Sequence, residues 1–327
     1  MLKKITITDI SKLVGVSKAT ISHYLNGNYK KMSFETRKKI EKVISETEYE
    51  PSPIAKSLVT KDTKTIGVVI ADITNPFISA VMKGIHDTCK KLDYTVTFTN
   101  SDNDEEIEAE NIKRLMQQNV SGIIIDSVDA NGKNLEMLNN ENIIMIDRQS
   151  STLKIDTVVS NNKSSTQKFI QYMKEANCSN FYFVSYPIEG VSTREKRFEG
   201  FELEVPDAKK RCVILQQPNT QEKILNLIAK NRGNISFFTM NGPALLDFMK
   251  IMNQTTYTYP KDFSLGSYED LEWMEVLNPN VSCIKQNSYK IGEVAVTHLV
   301  EKLTKQEKLK KVKLLIVPNE IVIRNSF

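Results

Sequence analysis

If residues 16–28, VSKATISHYLNGN, form a helix, then Lys18, Ala19, Ser22 and His23 share one side of it. That side is small, polar and rich in donors and acceptors, which is the chemistry that reads base-pair edges in a DNA groove. Ile21 and Leu25, four apart, take the other side, with Tyr24 at the margin. No catalytic set of similar clarity exists. Asp126, Asp147 and Glu269 could serve as acid or base, but no nucleophile–base pair at motif spacing and no phosphate-cradling glycine loop accompanies them. Cys89, Cys178, Cys212 and Cys283 lie far apart, as do His23, His86 and His298, so buried thiols are expected, and neither a metal centre nor any other cofactor.

The polar face needs a helix with defined ends, and the sequence supplies them. Ser17 is a good N-cap, and Asn26 and Gly27 are good stop residues. Upstream, TDISKLVG places Ile10, Leu13 and Val14 at helical spacing and ends in Gly15. Two short amphipathic helices joined at a glycine are the helix-turn-helix pattern, although a plain helical hairpin in a larger bundle has the same spacing. In SFETRKKIEKVISETEYEP a third helix is expected: Ser33 and Thr36 make no full capping box, but Glu35 sits in the first turn and Ile40, Val43 and Ile44 line one side. Residues 51–65, PSPIAKSLVTKDTKT, follow. Pro51 and Pro53 confine any helix to a run ending near Val59, too short to hold in water without support.

Charge divides along the same line. Residues 1–62 hold twelve Lys and Arg against seven Asp and Glu, while the remainder is close to neutral, at −1. A basic head on a neutral body suits contact with a phosphate backbone. The length of 327 residues predicts two or three domains, and an apolar fraction of 40% predicts an ordinary globular chain. With no signal-like N-terminus and no run near the ~20 apolar residues of a membrane span, a cytoplasmic protein without membrane contact is expected.

From Thr65 the pattern changes. TIGVVIAD, YTVTFTN, GIIID and IIMID alternate with helical segments near 77–92 and 105–118 and a short one; FYFVS, CVIL, ISFFTM and FSLGSY alternate with segments near 193–203, 221–230 and 243–252. Apolar strands separated by crossover helices predict parallel sheets covered on both faces. Two such series predict two α/β lobes, with a ligand cleft between them at the carboxyl ends of the strands.

Over essentially its full length the chain resembles the LacI/GalR family of bacterial transcription regulators. TITDISKLVGVSKATISHYLNG is similar to the family's head, EYEPSPIAKSL to its hinge, TIGVVIADITNPF to its first core strand, and RFEGF, SLGSYED and CIKQN to its cleft segments. Within the family, SKATISHYLNGNYKKMS most resembles regulators of ketodeoxygluconate and related sugar-acid use. The resemblance implies a small all-α helix-turn-helix head at 1–50, a hinge at 51–63 and a two-lobed, periplasmic-binding-protein-like core at 64–327. Lobe one would comprise about 64–160 and 288–317, and lobe two about 161–287 and 318–327. It implies a homodimer that binds a palindromic double-stranded operator, most often as a repressor of carbohydrate-utilisation genes. The competing readings are a soluble sugar-binding protein and a sugar-acting enzyme, neither of which needs a basic head.

By position, the resemblance implies base reading by Lys18, Ala19 and His23, further DNA contacts by Thr6, Ser17, Thr20, Ser22 and Asn26, and minor-groove contacts by Ala55 and Leu58. His23 replaces a common Arg, so an altered operator is expected. In the cleft it implies effector contacts by Phe77, Arg197, Asn241, Glu269 and Gln286, with Arg148 and Arg194 able to approach. Two departures bear on the ligand: Asn241-Gly242 stands where Asn-Asp is usual, and Tyr268-Glu269 where Tyr-Asp is usual. One carboxylate is lost and another lengthened among several arginines, which predicts a sugar, sugar acid or sugar phosphate effector, with the acidic ligands favoured.

Overall fold

The computed structural model describes residues 5–49, 63–138, 142–152, 154–305 and 312–327. The chain divides into two compact units, Met1–Thr63 and Lys64–Phe327.

In the first unit, α1 (Ile7–Val14) starts at Thr6, whose side chain and backbone N–H form a reciprocal capping box with Asp9. Gly15 ends it in the left-handed region at φ 76°, which an L side chain rarely adopts. α2 (Lys18–Leu25) is capped by Ser17, whose hydroxyl accepts the Thr20 N–H at 3.1 Å. α3 (Phe34–Thr47) is capped in the same way by Ser33. Ile10, Ile21 and Ile40, one from each helix, are fully buried against one another, each contributing about 2 kcal/mol. Leu13, expected on the buried face, is instead 62% exposed. The packing seam of α1 runs through Ile7, Ile10 and Val14, and Leu13 falls on its flank, which so small a cluster leaves uncovered.

The second unit holds two six-stranded sheets. The first comprises β1 (Thr65–Ile70), β2 (Thr95–Asn100), β3 (Gly122–Ile125), β4 (Ile143–Ile146), β5 (Thr157–Ser160) and β11 (Leu314–Val317), in the order β11-β5-β4-β3-β1-β2 and parallel throughout. The second comprises β6 (Phe181–Ser185), β7 (Cys212–Ile214), β8 (Ser236–Thr239), β9 (Ser264–Tyr268), β10 (Ser282–Lys285) and β12 (Glu320–Val322), in the order β12-β10-β9-β8-β6-β7, with only β12 antiparallel. Apolar clusters cover both faces of each. On the first sheet, α4 (Pro76–Lys91) and α11 (Ser288–Lys305) pack along one face, and α5 (Glu105–Gln117) and α6 (Lys133–Glu136) lie on the other. On the second, α7 (Asn162–Glu175) and α8 (Ser192–Glu202) oppose α9 (Thr220–Lys230) and α10 (Gly242–Met252).

The chain passes between the lobes at 160–162, 285–288 and 317–320. Sequence patterning misses the elements that flank these crossings, namely β5, α7, β10, α11, β11 and β12. β5 is a four-residue TVVS and β12 a three-residue EIV, so neither carries a long apolar run, whereas β11, LLIV, has the run but is half-exposed at the edge of its sheet. Among the described residues no helix is long and apolar enough to cross a membrane.

Candidate functional site

The exposed face of α2 carries Lys18 and Ala19 in the open, with Thr20, Ser22 and His23 half-buried behind them. Thr6, Ser17 and Asn26 are also exposed. Several of these groups already fix the head. Ser17 and Thr20 hydroxyls lie 2.9 Å apart, and the Asn26 amide donates to the Ser22 carbonyl at 2.9 Å, so the same side chains set the helix ends and stand at its surface. The first turn of α2 contains no acid to offset its N-terminal partial charge, and Lys18 adds to it; both draw an anion such as a DNA phosphate. Ala55 and Leu58 lie outside the described residues.

In the core, the segments after β3, β4, β8 and β9 meet α8 and the crossings. Arg197, in α8, is 4% exposed. Its Nε donates to Asn162 Oδ1 at 2.9 Å, Nη1 to the Met240 carbonyl at 3.0 Å and Nη2 to Gln286 Oε1 at 3.4 Å. The guanidinium lies 3.7 Å from the centre of the Tyr268 ring. The Glu269 carboxylate lies 3.9 Å from Nη1 and has other partners as well. Glu269 Oε2 accepts the Gly242 N–H at 2.9 Å, and Oε1 accepts from Gln286 at 3.4 Å. Burial pushes the Glu269 carboxyl up to about 7, against the pull of Arg197 and the Gly242 N–H and with the help of Asp147.

The structure thus joins Arg197, Glu269 and Gln286 directly. Asn241 adjoins them, but its side-chain oxygen caps α10 by accepting the Ala244 N–H. Phe77, in the first turn of α4, is buried and lines a cavity of about 520 Å³ together with Gln286, Leu271 and Asn319. Arg148 donates to the Ser127 and Val128 carbonyls at 2.8 Å each and lies 3.6 Å from Asp126, a half-buried arrangement. Arg194 donates to the Pro187 carbonyl at 2.7 Å. Desolvation, then the charges of Arg148 and Arg197, hold the Arg194 pKa down, so the three guanidinium groups are close enough to repel. Among the described residues no His, Cys, Asp and Glu gather to hold a metal. Cys89 and Cys283 are buried, whereas Cys178 and Cys212 are only half-buried.

Sequence reasoning missed Asn162 and Asn319 as site residues; it named Asp147 only as a possible acid or base and Tyr268 only as the neighbour of Glu269. Asp147 directly follows β4 and Glu269 directly follows β9, and both adopt left-handed backbone, at φ 61° and 75°. Each is an acid at the carboxyl end of a strand, one in each lobe. Both are raised by burial and held down by Arg197, which acts electrostatically on an acid from each lobe.

A two-lobed α/β binding core with a buried guanidinium in its cleft, carried with a helix-turn-helix head, defines an effector-regulated DNA-binding protein. Residues 66–307 match the family of periplasmic binding protein domains, and residues 6–52 match that of bacterial regulatory proteins, lacI family. The core thus belongs to the periplasmic binding protein domain family, the head to the lacI family of bacterial regulatory proteins, and the chain is a DNA-binding transcription regulator. It is 29% identical over 321 residues to the HTH-type transcriptional regulator KdgR of Bacillus subtilis (strain 168), covering 91% of each chain. It is 26% identical over 314 residues to the regulator PtxS of Pseudomonas putida, covering 92% of this chain and 90% of that one. The lac repressor dimer bound to operator and the anti-inducer ONPF shares the fold, with a TM-score of 0.80 at 20% identity and 99% coverage of both chains.

The state of Glu269 has a measurable consequence. Between its ordinary 4.5 and about 7 the folded chain holds a proton that the unfolded chain has released, so this group's contribution to stability declines as pH rises through that window and levels off above it. Glu269→Gln is expected to raise the melting temperature at pH 7.5 and to flatten its decline between pH 5 and 7.5, read by calorimetry. Asp126, also pushed to about 7 by burial, leaves a residual slope. A variant with the wild-type slope would place the Glu269 titration elsewhere.

Proposed function

We propose that the protein is a homodimeric repressor that binds a palindromic operator controlling carbohydrate-utilisation genes, and that an anionic sugar acid or sugar phosphate at Arg197 changes its affinity for that operator. One observation carries the ligand class. A guanidinium sealed from water, held by two amide oxygens and a carbonyl and neighboured by two carboxyls, Glu269 and Asp147, that burial drives towards their neutral forms, has incomplete compensation of its charge. A carboxylate or phosphate supplies what is missing through charge-assisted hydrogen bonds. The likeness of the head to sugar-acid regulators supports the same class. The effector acts through a difference in affinity for two arrangements of the lobes, and induction and corepression are both compatible with that linkage. On this reading the chain is a cytoplasmic, non-enzymatic regulator.

The test is a thermal-shift screen. Gluconate, 2-keto-3-deoxygluconate and their 6-phosphates should raise the melting temperature, and glucose and ribose should not. Stabilisation by the neutral sugars alone would refute the ligand class. Operator affinity should also fall steeply between 50 and 200 mM salt, by roughly a hundredfold or more, because Lys and Arg of the head displace counterions. A flat profile would remove the basic head from the interface.

A further inference from the structure

Each of the three crossings contributes a side chain to one buried hydrogen-bond network. From the first, Ser160 donates to Gln286 Oε1 at 3.0 Å, and Asn162 Oδ1 accepts from both Arg197 and the Tyr268 hydroxyl, each at 2.9 Å. From the second, Gln286 accepts from Ser160 and Arg197 on a single oxygen. From the third, Asn319 donates through Nδ2 to the Tyr268 hydroxyl and, at 3.0 Å, to Ser165, while its backbone N–H donates to Asn161 Oδ1 at 2.8 Å. The Tyr268 hydroxyl has one proton, which it gives to Asn162; it must therefore accept from the Asn319 amide. The Tyr268 ring meanwhile stacks on the Arg197 guanidinium. Asn319 Oδ1 is buried with no partner among the described residues, so the network is under-satisfied at the crossing between β11 and β12.

We propose that Asn162, Tyr268 and Asn319 are positioning residues that tie the three interlobe crossings to Arg197, so that a ligand engaging Arg197 loosens all three together. This rests on the reading that Arg197 takes an anionic effector. An anion that draws the guanidinium towards itself competes with Asn162 and Gln286. Asn162 Oδ1 also holds Tyr268, and Tyr268 holds Asn319, so weakening one bond alters the geometry of the other crossings. A contiguous network with two arrangements is a physical basis for coupling between sites.

Hydrogen exchange on the full-length chain tests the tie without any ligand. Tyr268→Phe keeps the ring on Arg197 and removes only the hydroxyl; Asn319→Ala removes the amide. Both should speed amide exchange about tenfold in peptides spanning 155–166, 282–290 and 314–322, including crossings distant from the substitution. Acceleration confined to the substituted segment in both variants would overturn the tie. With 2-keto-3-deoxygluconate, the wild-type crossings should exchange faster. At probe concentrations that saturate each protein, the variants should show at least a tenfold smaller change in operator affinity than the wild type. Accelerated crossings with unchanged coupling would overturn the transmission from Arg197. If the wild type binds none of the four sugar acids and phosphates by calorimetry, the anionic-effector reading and the transmission fall together, while exchange at the crossings still decides the tie.

Discussion

Arg197→Ala is expected to weaken binding of the anionic effector by a hundredfold or more, and Arg197→Lys by less. Truncating one partner of a buried, hydrogen-bonded charge pair costs about 2–5 kcal/mol, of which 2.8 already corresponds to a hundredfold. The guanidinium is held by Asn162, Met240 and Gln286 with its plane fixed on Tyr268, so its fork is oriented before a ligand arrives. Lysine keeps the charge but loses the planar donors and the stacking. Calorimetric titration with the sugar acid that stabilises the wild type checks the order. Equal affinity in all three proteins would remove Arg197 from the site.

The second large effect concerns the helix pair beneath the first sheet. α4 and α11 approach closest at two glycines. A Cβ at Gly292 would lie 2.2 Å from the Val81 carbonyl oxygen and 2.7 Å from the Ile85 nitrogen, and one at Gly84 would lie 2.1 Å from the Tyr289 carbonyl oxygen. These neighbours are backbone and cannot turn aside. Gly292→Ala must therefore push the helices apart and open the cluster of Ile78, Val81, Ile85, Ile291, Val296 and Leu299. The expected cost is about 3 kcal/mol or more. That corresponds to a melting temperature lower by roughly 6–12 °C. Gly67→Ala serves as the contrast: its Cβ would meet only the end of the Leu115 side chain, at 2.9 Å, which can rotate. The prediction fails if the two variants melt together.

The head is legible in sequence because its determinants are local. Ser17, Ser33 and Gly15 act within one turn of where they stand, and the structure uses all three as caps or breaks. Leu13 shows the limit, since its fate depends on how much of α1 two other short helices can cover. The long apolar strands of the core are legible for the same reason, and the short strands at the crossings are not. In the cleft, Asn241-Gly242 and Tyr268-Glu269 read as two separate departures, one carboxylate lost and one lengthened. Spatially they form one arrangement. A Cβ at position 242 would sit 3.0 Å from Glu269 Oε2 and 2.2 Å from Leu271 Cδ1, so the missing side chain makes room for the longer acid to reach the start of α10. Asn162 and Asn319 give no sequence signal, because their importance comes from partners more than a hundred residues away or on another crossing.

If the head of this chain grips a DNA duplex and an anionic sugar bound in the core changes that grip, both show in one experiment. The most direct measurement selects duplexes from a random library with the full-length protein. It then titrates the selected duplex by fluorescence anisotropy, with and without the sugar acid that stabilises the protein. Enrichment of a palindromic sequence is expected, with at least a tenfold change in its dissociation constant on adding the ligand. Equal affinity for selected and scrambled duplexes, or selective binding that no sugar acid or sugar phosphate alters, would contradict it.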